Sequence, residues 1–310
     1  MTTLKETHQL EQQTDVYDSS VYPDLIRRSL RYLSIGYPVH FTGGSGIGKT
    51  SLALHVAKQL KRPILFLSGN RELSNEDLIG AFSGYDRRKL KDNYVRSVLK
   101  LEENVTESWQ QGRLYEAVKN GYTVIYDEFT RSQPETNNLF LSILQENILP
   151  LYGTKRTASY IDVHPEFSVI FTSNPIEYTG VYQTQDALLD RMVNLPLDPI
   201  DQETEVRILL SKVEVTQAEA EVIVSFVGKA RELCSENSKA GGPSLRTSIM
   251  IAKTADQAQI PIDGKDEEFQ KLCLDMTLFT LVTCGNEDSE KIKNKVITAC
   301  KNIERGESNE

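Results

Sequence analysis

Ten residues constrain this chain more than any others: Phe41-Thr42-Gly43-Gly44-Ser45-Gly46-Ile47-Gly48-Lys49-Thr50. Gly43, four residues, then Gly48-Lys49-Thr50 is the spacing of a phosphate-binding loop, whose backbone N–H groups cradle nucleotide phosphates. Glycine lets such a loop bend tightly and bring its backbone close to the ligand. Context gives the spacing its meaning. Pro38-Val39-His40-Phe41 reads as a short strand entering the loop, and residues 51–60 carry apolar side chains at helical spacing. A strand, a glycine loop and a helix in that order aim a helix N-terminus at an anion. The expected nucleotide-binding set is Gly43, Gly44, Ser45, Gly46, Ile47, Gly48, Lys49, Thr50 and Ser51. Lys49 is expected to reach the β- and γ-phosphates of the nucleotide, and the Thr50 hydroxyl to ligate Mg²⁺.

The 310 residues have room for one large domain or two modest ones. Hydrophobic residues at 39% and charged residues at 25% predict a soluble globular chain. The net charge of −9 argues against a nucleic-acid partner, which needs a basic face. There is no apolar signal region and no run of the ~20 apolar residues that a membrane span requires, so the expectation is a cytoplasmic protein with no membrane partner. Cys234, Cys273, Cys284 and Cys300 form no Cys-x-x-Cys pair, and reduced, mostly buried thiols are expected. His8, His40, His55 and His164 show no metal-ligand spacing and are read as ordinary residues.

Periodicity predicts a helix over 22–33, a second strand over 62–67, a third over 123–126, a helix over 134–145 and a fourth strand over 168–172. A further short strand is expected near residues 192–195. Alternation of strands and helices implies a doubly wound parallel sheet with helices on both faces, an α/β fold. Residues 81–110 are charged and less regular and read as an insertion. Residues 148–162 read as a β-hairpin with a basic tip at Lys155 and Arg156. From Asp201 the pattern is helical. The expected division is a flexible segment over 1–20, a nucleotide-binding α/β domain over 21–200, an α-helical lid over 201–304 and a flexible tail over 305–310.

Ligands in doubly wound sheets sit beyond the carboxyl ends of the strands. The third strand ends in Tyr126-Asp127-Glu128, so Asp127 is expected to hold Mg²⁺ and Glu128 to polarise the attacking water. Asn174 follows the fourth strand and could hydrogen-bond that water or the γ-phosphate, although Asn-Pro is also a plain turn signal. Arg191, before the last strand, and Arg246, opening a helix of the second domain, are candidates to stabilise charge developing on the γ-phosphate.

In this order the residues resemble the AAA+ P-loop ATPases. Gly43 to Thr50 matches Walker A, Tyr126-Asp127-Glu128 matches Walker B, and Asn174 matches sensor 1. Arg191 falls where the family's trans-acting arginine finger lies, and Arg246 matches sensor 2. Gly112-Arg113-Leu114-Tyr115-Glu116-Ala117, Gly121 and Phe129-Thr130-Arg131 look like the MoxR branch, which usually has asparagine where Thr130 stands. The hairpin over 148–162 and the segment over 81–110 fit that branch's two inserts. Within it the chain looks most like the gas vesicle N family, through Leu67-Ser68-Gly69-Asn70, Asp77-Leu78-Ile79-Gly80, the Asp127–Arg131 run and Phe171-Thr172-Ser173-Asn174-Pro175.

The resemblance implies a Mg²⁺-dependent ATPase with Glu128, Lys49, Asn174, Arg191 and Arg246 in catalysis. It also implies a nucleotide-dependent homo-oligomer, a ring, acting on gas vesicle shell or assembly proteins. Three other readings stay open at this point. The chain could be a nucleotide-binding structural component with little turnover, a chaperone of the same branch for another client such as a metalloenzyme, or a small-molecule kinase.

Overall fold

The computed structural model describes residues 19–89, 103–151, 159–174, 186–234, 242–285 and 288–303. Helix α1 (Pro23–Ser34) leads to strand β1 (Val39–Thr42), the glycine loop and helix α2 (Lys49–Gln59). Strand β2 (Ile64–Ser68), helix α3 (Asn75–Ile79) and a ribbon of β3 (Gly80–Lys89) and β4 (Glu103–Gln111) follow. Next come α4 (Arg113–Asn120), β5 (Thr123–Asp127) and α5 (Pro134–Glu146). The short strands β6 (Ile148–Pro150) and β7 (Tyr160–Asp162) precede β8 (Ser168–Ser173), α6 (Asp186–Leu189) and β9 (Val193–Pro196).

The central sheet has the order β2-β5-β8-β1-β9, and every neighbouring pair is parallel. A parallel sheet is covered on both faces, and the strands alternate accordingly. Val124, Tyr126, Val169 and Phe171 join a core with residues of α3, α4 and α5, such as Leu78, Leu114 and Leu139. Ile125, Ile170, Val39 and Phe41 face the opposite core, with Leu25 and Ile26 of α1 and Leu52 and Val56 of α2. The doubly wound α/β expectation is therefore correct. Residues 81–110 are, as expected, an insertion between core elements and add no strand to the central sheet, but their expected irregularity needs a correction. The described part of the insertion is a regular antiparallel ribbon, pairing Gly80 with Gln111 and Lys89 with Glu103. Its sequence lacks apolar alternation, so backbone pairing there leaves no periodic signal. The expected hairpin pairs Leu149 with Ile161, and its basic tip lies outside the described residues.

Among the described residues five helices follow: α7 (Gln202–Lys212), α8 (Gln217–Glu232), α9 (Leu245–Ala258), α10 (Glu267–Gly285) and α11 (Ser289–Lys301). They bury their own core around Leu209, Ile223, Phe226, Ile251, Phe269 and Val296. Thr216 caps α8 in a box with Glu219, the Ser/Thr-x-x-Glu pattern that marks a helix start. The cysteine expectation is overturned in part. Cys234, after α8, and Cys284, in the last turn of α10, are joined in a disulfide, while Cys273 and Cys300 are free and buried. Fifty residues separate the bonded pair, so tertiary packing brings it together and no local spacing announces it. Burial, then the neighbouring Cys300, pushes the Cys273 thiol well above its ordinary range. Among the described residues no helix is long and apolar enough to cross a membrane.

Candidate active site

The sheet order brings three sequence-distant segments side by side: the ends of β5, β8 and β1 are neighbours. The glycine loop leaves β1, Asp127 ends β5 with Glu128 directly after it, and Asn174 follows β8. Loop residues 43–48 precede α2, with Gly48 at its N-cap in the left-handed region at φ 95° and Lys49, Thr50 and Ser51 in its first turn. The Lys49 ammonium, largely buried, donates to the carbonyls of Gly43 at 2.9 Å and Gly44 at 2.6 Å.

Asp127 is the hub. The Thr50 hydroxyl donates to its Oδ1 at 2.7 Å, and the Thr172 hydroxyl donates to the same atom at 2.6 Å. Thr172 Oγ1 also accepts the Glu128 backbone N–H at 3.0 Å. One buried hydroxyl on β8 thus fixes Asp127, which ends β5, and Glu128, which follows it. Packing reinforces this. Tyr126 and Phe129, which bracket the two acids, are fully buried; the Tyr126 ring meets those of Phe140 at 5.1 Å and Phe171 at 6.0 Å, and the Phe129 ring meets that of Phe171 at 5.2 Å. Burial raises the Tyr126 pKa to about 12, so its phenol is neutral.

Glu128 itself lies in the left-handed region, at φ 51° and ψ 41°. For a residue with a Cβ that conformation costs about 1–2 kcal/mol, and neighbours must hold it. The Thr172 contact does so, and Gly69 does so by close approach. The Gly69 N–H donates to Asp127 O at 2.7 Å, and a Cβ on Gly69 would stand 2.2 Å from Glu128 O. Arg131, one 3₁₀ turn on, places its Nε 2.8 Å from Glu128 Oε2.

The lid reaches the loop through Ser244. A Cβ on Gly46, whose φ is 76°, would stand 2.3 Å from Ser244 Oγ and 3.9 Å from the Arg246 Cβ. Arg246 is the second residue of α9 and is exposed. The segment carrying it is anchored by a buried carboxylate. Arg231 donates to both oxygens of Glu205 at 2.8 and 2.9 Å and, through Nε, to Pro243 O at 2.7 Å. Ser248 Oγ donates to Glu205 Oε1 at 2.5 Å. Arg191 follows α6 and donates to Ala187 O and, at 2.8 Å, to Gln145 Oε1. These contacts are with its own turn and with α5. The structure thus gathers the loop, Thr50, Asp127, Glu128 and the lid end bearing Arg246, and seats Arg191 on a separate turn.

Sequence reasoning missed Thr172, Ser173, His40 and Asn194. The signal available was polarity in an apolar strand: His40 stands between Val39 and Phe41, and Thr172 follows Phe171. It also missed the Glu205–Arg231 pair, which sits on two helices 26 residues apart.

The donor set suits ATP and Mg²⁺. A hydroxyl and a carboxylate 2.7 Å apart are hard oxygen ligands beside a buried ammonium. Among the described residues no group of three His, Cys, Asp or Glu could hold a metal, so phosphate oxygens and water would complete the shell, as Mg²⁺ usually requires.

Residues 38–192 match the AAA domain of the dynein-related subfamily. The gas vesicle ATPase GvpN of Ancylobacter aquaticus is 42% identical over 252 residues, covering 81% of this chain and 70% of that protein. The gas vesicle ATPase GvpN of Haloferax mediterranei is 36% identical, over 89% of this chain and 77% of that protein. Protein NorQ of Paracoccus denitrificans, a MoxR-like relative, is 27% identical over 66% of this chain and 68% of its own. With this loop, this strand order and these relatives, the chain belongs to the gas vesicle ATPase GvpN family within the AAA ATPases.

Proposed function

We propose that the chain hydrolyses ATP with Mg²⁺ as an oligomer, and that the resulting motion remodels gas vesicle shell or assembly proteins. The observation that carries the chemistry is the Thr50–Asp127–Thr172–Glu128 network at the ends of adjacent strands. The client is inferred from what the relatives' names say of those proteins.

The loop N–H groups and Lys49 bind the phosphates, with Lys49 exchanging its loop carbonyls for phosphate oxygens. Thr50 and Asp127 would hold Mg²⁺, which would supply positive charge to neutralise the phosphates. Glu128 orients and polarises the attacking water, and Asn174 hydrogen-bonds that water or the γ-phosphate. Arg191 faces a neighbour's nucleotide, where its guanidinium stabilises charge in the transition state. Arg246 senses the γ-phosphate in its own subunit and moves the lid, whose Ser244 already touches the loop.

Two variants test this. Lys49→Ala should abolish nucleotide binding, and Glu128→Gln should retain ATP while phosphate release stops. ATP binding with no phosphate release by the wild type at any protein concentration would overturn the hydrolase reading.

A further inference from the structure

His40 is buried in β1, between β8 and β9, directly below the loop. Nothing in the mechanism above uses it, yet it touches three functional segments. Its Nε2 is 2.8 Å from Ser173 Oγ, and Ser173 immediately precedes Asn174. Its Nδ1 is 2.6 Å from Asn194 Oδ1. Its ring meets the edge of Phe129, next to Glu128, at 5.2 Å and 82°.

The bonds have one self-consistent direction. The Asn194 amide donates its Nδ2–H to Leu189 O at 3.2 Å, which leaves its carbonyl oxygen facing His40. That oxygen needs a donor, so His40 carries its proton on Nδ1. Nε2 then accepts the Ser173 hydroxyl. Burial keeps the ring neutral, consistent with one donor and one acceptor. The last acceptor, Leu189 O, ends α6 and also takes the Met192 N–H at 3.3 Å, closing the turn that holds Arg191.

We propose that the chain Ser173–His40–Asn194–Leu189 couples the γ-phosphate end of one subunit's site to the Arg191 that the same subunit presents to its neighbour. His40 and Asn194 are positioning residues: neither touches ATP, and each acts through Arg191. The inference rests on the reading of Asn174 as the phosphate sensor and Arg191 as the trans arginine. A shift of Asn174 on γ-phosphate binding drags Ser173, and β1 passes the shift across the sheet through side chains. The site then reports its nucleotide state to the next site in the oligomer.

The test reads a neighbour's turnover. Wild-type chains are mixed in equal amounts with Glu128→Gln chains, whose own sites are dead but whose arginine is intact. Three further mixtures use Glu128→Gln combined with Arg191→Ala, with Asn194→Ala or with His40→Leu. Random assembly with the arginine intact keeps about half the wild-type rate, and losing it in trans keeps about a quarter. The Asn194→Ala and His40→Leu mixtures should fall toward the quarter, with the KM for ATP unchanged. Asn194 is exposed, so its variant folds even where His40→Leu does not. If the Asn194→Ala mixture matches Glu128→Gln alone while the Arg191→Ala mixture falls, the coupling is refuted. If the Arg191→Ala mixture does not fall either, the trans reading is overturned and the inference with it.

Discussion

Thr172→Val isolates the most economical device in the site. Valine keeps the buried volume but loses a hydroxyl that serves two partners. Asp127 Oδ1 loses a donor at 2.6 Å, and the Glu128 N–H loses its acceptor at 3.0 Å. A hydrogen bond to a charged group contributes about 1.5–3 kcal/mol, and a buried N–H left bare costs about 1–3 kcal/mol. Thr50 still serves Asp127 Oδ1, so the two effects should sum to about 3 kcal/mol of stability. The catalytic effect is larger in meaning than in energy. Glu128 then relies on Gly69 alone to hold its left-handed backbone, so its carboxylate should drift. Losing about half of that energy from the transition state lowers kcat roughly tenfold or more. ATP affinity should change by less than about threefold, because the loop and Lys49 are untouched. Thr172→Ser keeps the hydroxyl and loses a methyl, costing about 1 kcal/mol with kcat near wild type. Urea unfolding, phosphate release at saturating ATP and nucleotide titration measure the three quantities. If the valine and serine variants behave alike in both stability and kcat, the hydroxyl does not organise the acids.

Other substitutions and conditions probe the remaining contacts. Arg231→Met strips the partner from Glu205, which is fully buried, and should cost about 3 kcal/mol in urea unfolding; adding Glu205→Gln should recover most of it. Gly46→Ala meets both a left-handed backbone and the Ser244 hydroxyl, so it should cost about 1–3 kcal/mol in urea unfolding, whereas Gly44→Ala, with no protein atom near its added Cβ, should leave stability unchanged. Stability should also depend on pH through His40, whose pKa burial lowers from 6.5 to about 4. The unfolded chain binds a proton below 6.5 that the folded chain refuses until about 4, so stability is complete above that window and falls through it by about 3 kcal/mol. Urea midpoints measured across the window should fall more steeply in the wild type than in His40→Gln, which keeps the contributions of His55 and the carboxylates.

What was legible in the sequence was whatever repeats or stands at fixed spacing. The loop, the strand-ending acids and the apolar strands are local patterns, and they led to the α/β sheet and to Asp127 and Glu128. Relations between strands were not legible. Thr172 acts because β8 lies beside β5, and His40 acts because β1 separates β8 from β9, an order no local spacing encodes. The Cys234–Cys284 bond and the Arg231–Glu205 clasp likewise join helices that only the folded lid brings together. The ribbon over β3 and β4 was hidden for another reason: backbone pairing without an apolar face leaves no periodic trace.

The central claim is that a working site needs Glu128 from one subunit and Arg191 from the next. Mixing two inactive chains, Glu128→Gln and Arg191→Ala, tests it directly. An interface between an intact Glu128 and an intact Arg191 re-forms in about a quarter of random pairings, so phosphate release should return to roughly that fraction of the wild-type rate. A mixture that stays as inactive as its components, although the chains co-assemble, would contradict the account.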